Sequence, residues 1–151
     1  VIKFLIPHIL QAPVFESGKL HPVEGLWISH VTIEACNNKR QYNFLVLPQD
    51  NKLKTVPMLP GNSKTSPQLQ HDALVSAASM VVAATEGKKC PLSSLFVSNT
   101  EFLGKEEENL SDWEEKWTAN FCGEEVVLRA KFFANEEKGG TNFAFENWKE
   151  K

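Results

Sequence analysis

At 151 residues, with 42% apolar and 23% charged residues and a net charge of −3, the chain has the size and balance of one globular domain around a single core. That charge opposes a large nucleic-acid or anionic-membrane footprint, so no nucleic-acid partner is expected. No apolar run approaches the roughly 20 residues that a membrane-spanning helix needs, and the composition is not that of a disordered chain.

In chain order, Val1 to Leu10 (VIKFLIPHIL) is apolar, short and interrupted by Pro7. It lacks a basic leading region and a small-residue cleavage site, so it reads as an apolar arm or first strand rather than an intact signal peptide. The start at Val1 rather than Met is expected to follow removal of an upstream segment. Residues 11 to 25 carry two prolines and two glycines, and residues 1 to 25 are therefore expected to form an irregular N-terminal arm.

From Leu26 the period becomes two. Trp27, Ser29, Val31, Ile33 and Ala35 share one face, and Tyr42, Phe44 and Val46 share another after the polar turn Asn37-Asn38-Lys39-Arg40. The reading is a β-hairpin over 26–47. Residues 48 to 67 hold four of the eight prolines and read as a long connection. A helix over 67–86 follows, with Ser66 as N-cap and Pro67 at the first helical position. Leu69, Ala73, Ala77, Met80, Val81 and Ala84 recur at helical spacing, and Gly87 suits a left-handed C-cap.

Only strands come after it. Leu95 to Leu103 is one. Trp113, Glu115, Trp117, Ala119 and Phe121 alternate with polar residues up to a Cys122-Gly123 turn. Val126, Leu128, Ala130 and Phe132 repeat the pattern, and Phe143 and Phe145 close it, giving an antiparallel meander over 95–146. One helix on an antiparallel sheet made of an N-terminal hairpin and a C-terminal meander is an α+β fold, and a single domain over 1–151.

No motif carries chemistry. Pro60-Gly61-Asn62-Ser63-Lys64-Thr65 lacks the glycine before lysine that a phosphate-binding loop requires. His30 and Cys36 share strand parity but lie about 20 Å apart along extended chain, too far for a nucleophile and its base. His71 beside Asp72 has no nucleophile to serve. Cys36, Cys90, Cys122 and the four histidines lack metal-ligand spacing. No catalytic residue, metal site or cofactor is expected.

Two features suit a binding surface. The run from Glu101 to Glu115, with Glu106, Glu107 and Glu108 at its centre, could meet a basic partner or a divalent cation, although a solvated loop is the default for such a run. Trp113 and Trp117 share a face and read as core under the helix, the alternative being an aromatic platform for carbohydrate, peptide or lipid headgroup. Asn109-Leu110-Ser111 is a formal glycosylation sequon. Cys90 and Cys122 both fall at element ends, where a bridge is readily accommodated. It would close a loop of about 30 residues and contribute roughly 3 kcal/mol. The other reading is three buried thiols.

The string LPGNSKTSPQLQHDA (59–73), Cys90, VSNTEF (97–102), WEEKWTANFCGEEV (113–126) and KGGTNFAF (138–145) resembles a group of small exported proteobacterial proteins. The shared pattern is a Pro-Gly…Leu-Gln-x-Asp-Ala helix, a Trp-x-Glu-x-Trp-Thr strand, a Cys-Gly turn and a Gly-Gly-Thr-x-Phe end. The resemblance covers residues 57 to 146. It implies an upstream signal peptide, a periplasmic or secreted location, and a Cys90–Cys122 disulfide. Cys36 lies outside the matched residues; with no third partner it is expected to be buried and reduced, or open to intermolecular pairing if exposed. It carries over no catalytic residue. The resulting expectation is an exported, non-enzymatic interaction protein with a protein, carbohydrate or lipid-headgroup partner. The alternative is an enzyme or small-ligand cup with its pocket between helix and sheet.

Overall fold

The computed structural model describes residues 1–85, 88–104, 111–135, 137 and 139–148. Gly87, the run Glu106–Glu107–Glu108, the first two residues of the sequon and Lys138 lie outside them. The fold is α+β: an N-terminal sheet built around a hairpin, a C-terminal meander sheet, and one main helix. The chain divides into two compact units, residues 1–61 and 62–151.

The first unit is a five-stranded antiparallel sheet. Its centre is the hairpin of β3 (Glu24–Ala35) and β4 (Asn38–Gln49), in which Trp27, Ser29 and Val31 stand opposite Val46, Phe44 and Tyr42. The two alternating patterns of the sequence thus belong to one sheet face. The turn is Cys36-Asn37, one residue earlier than the sequence suggests, with both residues at positive φ. A two-residue turn of this hand matches the twist of its strands, and Ala35 then pairs with Asn38. Cys36 is consequently exposed at a turn tip, not buried.

Two stretches that read as irregular are strands. In place of the irregular arm over 1–25, β1 (Ile2–Phe4) and β2 (His8–Val14) lie in line along the outer edge of β3. Pro7 falls in the break between them, and Pro13 falls where the register of β2 shifts. At an edge, a proline costs little because its missing N–H is needed on one side only. Gly25 lets β2 pass: a Cβ there would sit 2.9 Å from Pro13 Cα, and its φ is +134°. In place of part of the 48–67 connection, β5 (Lys52–Pro57) folds back on β4 through Asp50-Asn51, a second turn with both residues at positive φ. Pro48 is tolerated because it lies past the last β4 residue that β3 pairs.

The second unit holds the helix α1 (Pro67–Ala84) and a meander of β6 (Phe96–Phe102), β7 (Asp112–Phe121), β8 (Glu124–Ala134) and β9 (Thr141–Asn147). Hairpin and meander therefore form two sheets, not one. Ser66 caps the helix, its Oγ accepting from Leu69 N at 3.2 Å, and the helix ends with Thr85 bonding back to Val81. Ala73, Ala77 and Val81 are buried on α1, and small side chains there allow a close approach to β7, β8 and β9. Beneath them lie Trp117, Leu128, Ala130 and Phe132. Phe132 stacks on Trp113 with centroids 4.9 Å apart, and Trp117 meets the edge of Phe145 at 5.1 Å.

The Cys90–Cys122 disulfide closes this unit, with Cα atoms 5.8 Å apart. It joins the segment after α1 to the β7–β8 turn, and Lys88 pairs with Glu124 beside it. Replacing Ser66 by alanine removes the acceptor for Leu69 N. It is expected to destabilise the protein by about 1 kcal/mol, read from the urea midpoint at unchanged slope.

Candidate functional site

Among the described residues a buried polar constellation is centred on Glu115, a residue in the middle of β7 with 0% exposure. Its alternation places it between Trp113 and Trp117 on the inward face, where a charge is costly unless surrounded by donors. The donors are present. Trp113 Nε1 reaches Oε1 at 3.1 Å and Trp117 Nε1 reaches Oε2 at 2.8 Å. Ser63 Oγ (3.1 Å) and the backbone N of Lys64 (2.8 Å) complete the set at Oε1. Ser63 also bonds Thr65. The Pro-Gly-Asn-Ser-Lys-Thr segment thus presents its amide to a carboxylate of its own chain, and its lysine lies over the Phe102 ring. This carboxylate is fully buried and engaged in holding structure.

Trp117 is 0% exposed and cannot serve as a platform; Trp113 is half-buried against Phe132. Their face is turned inward because both indoles donate to a buried acceptor. Trp117, Leu128 and Phe132 are fully buried in the sheet that α1 packs against. The opposite face of the meander is polar. Arg129 pairs with Glu114 and Glu146, Lys131 with Glu146, and Lys116 and Arg129 lie over the Trp148 ring. The Lys131 hydrogen bond, with Arg129 beside it, holds the Glu146 carboxyl below the ordinary glutamate range.

In the first unit, Asn43 Nδ2 donates to the carbonyls of Leu59 and Gly61, while Oδ1 accepts from Gln41. That fixes the amide's orientation, so His30 Nδ1, 2.7 Å from Oδ1, is the protonated ring nitrogen. Through Asn43 the histidine helps to order the chain after β5. Among the described residues no cluster of His, Cys, Asp or Glu could hold a metal ion, and no helix is long and apolar enough to cross a membrane.

The feature that sequence reasoning missed is the outer edge of this unit. Every residue of β1 and β2 is exposed, on both sheet faces. Ile2 is 63% exposed, Phe4 80% and Ile6 90%. An apolar run without alternation is the signature of a strand covered on both sides, and here neither side is covered. That signature is already present in VIKFLI.

Substituting Glu115 tests its role. Glu115→Gln turns one acceptor oxygen into a donor facing donors, and Glu115→Ala leaves two indole N–H groups and the Lys64 amide unpaired. Losses of about 2–3 kcal/mol and at least 3 kcal/mol are expected in urea unfolding. Glu146→Gln should cost a little stability at neutral pH, because the depressed carboxyl contributes only while ionised. The difference from the parent should vanish as the pH falls through the lowered value. Comparison with family models, with curated proteins and with solved structures finds no match to this chain.

Proposed function

We propose that this protein is an exported, non-enzymatic interaction protein whose binding surface is the N-terminal edge of its first sheet. The observation that carries the reading is the exposure of Ile2, Phe4, Ile6, Ile9 and Leu10 along one open strand edge. Contiguous apolar surface of this kind marks a place where another polypeptide docks, and an open edge adds a row of backbone donors and acceptors. The favoured partner is therefore a protein that adds a strand, ahead of a carbohydrate or a lipid headgroup. Engagement of the buried carboxylate in structure supports a role without catalysis.

Export is supported by the Cys90–Cys122 bridge, since such bonds persist in oxidising compartments, and by the resemblance to exported proteobacterial proteins. A secreted or periplasmic location follows.

Two measurements test this. Thiol counting on denatured protein taken from its native compartment without reductant should find one free thiol, Cys36; finding three would overturn export. A photo-crosslinking residue in place of Ile6 should give an adduct with another polypeptide in that compartment. Absence of any adduct would overturn the interaction surface.

A further inference from the structure

Over its apolar run, Val1 to Pro7, the N-terminal edge carries one charged side chain. β5 carries Lys52 and Lys54, β6 carries Glu101, and β9 carries Glu146. Such charges are the usual device against edge-to-edge pairing. On the N-terminal run that side chain is Lys3, paired with Glu34 of its own sheet as Glu146 on β9 is with Lys131 and Arg129.

The direction of the backbone is fixed by the pairing with β3. Glu34 N donates to Val1 O, and Leu5 N donates to His30 O, so the odd-numbered residues turn their backbone groups inward. By alternation Ile2, Phe4 and Ile6 turn theirs outward, away from the sheet. Their side chains lie on the face shared by Val31 and Ile33, which stand opposite Phe4 and Ile2.

This arrangement is self-complementary. We propose that the partner at this edge is a second copy of the chain, its β1 pairing antiparallel about a two-fold axis through Phe4. The proposal rests on the reading of the edge as an interaction surface and names its occupant. Phe4 then stands opposite Phe4 of the second copy, and Ile2 opposite its Ile6. The outward N–H and C=O groups of all three residues find partners. No charge is buried, and the two apolar faces join across the seam. An isologous contact of this type closes on itself and does not propagate.

The expected strength follows from the area. A fully buried aliphatic or aromatic side chain of this size removes on the order of 100 Å² from water. The three seam side chains, Ile2, Phe4 and Ile6, therefore bury at most roughly 600 Å² over two copies. That lies below the ~1,200–2,000 Å² of stable interfaces, so the dimer is weak and dissociates on dilution.

The test is a charge exchange at residue 4. Sedimentation of the purified protein up to ~100 µM, enough to populate a complex of micromolar Kd, should show a monomer–dimer equilibrium. Phe4→Lys and Phe4→Glu should each associate at least tenfold more weakly, with unchanged circular dichroism because Phe4 is exposed. Their equimolar mixture should dimerise again, since residue 4 of one copy faces residue 4 of the other. Cys36→Ser should leave the dimer intact. A monomeric parent, dimers that persist in either variant alone, or a mixture that stays monomeric would each overturn the second copy as occupant. If the Ile6 crosslinker captures a different polypeptide while the parent is monomeric, the self-pairing fails and the interaction surface stands. If it captures nothing, both fail.

Discussion

A carboxylate buried in an apolar layer must be surrounded by donors, and much of the second unit is arranged to meet that demand. Glu115 draws the two indoles of β7 inward, which places Trp117 against Phe145 and Trp113 against Phe132. It also fixes Ser63 and the Lys64 amide, immediately before the cap of α1. One residue therefore sets the face of a strand, the packing of four aromatic rings and the point where the helix begins. The disulfide acts at the far end of the same helix, so α1 is tied to the sheet at both ends.

The first unit is held differently. It has few large buried side chains and relies on ladder pairing, tight turns and the Asn43 amide that clamps the chain from Leu59 to Gly61. Its stability comes from neighbouring strands more than from a covering layer, which is why its edge can stay open.

Much of this is legible in the sequence. The faces of β3, β4, β7 and β8 follow from period-two alternation, and the start of α1 from Ser66-Pro67. The disulfide partners follow from residue placement together with the resemblance to exported proteins. What was hidden has a common cause. Prolines at 7, 13, 48 and 57 argue against strands only where both edges are paired, and each of these lies at an edge, a break or a strand end. Position in the sheet is a tertiary property, so local rules left β1 undecided between an arm and a first strand, and missed β5 and most of β2. Cys36 hides the hairpin turn because the flanking Asn pair is the stronger local signal. The role of Glu115 needed the partner loop 52 residues away in sequence.

The order of strands along the first sheet has a consequence for biogenesis. β1 is synthesised before its partner residues Val31 to Ile33 on β3, and β3 is itself organised by the hairpin with β4. Until β3 arrives, this apolar segment has no strand to join. Nascent protein is thus exposed to misassociation until the β3–β4 hairpin has formed, and this interval is where a holding chaperone would act on it.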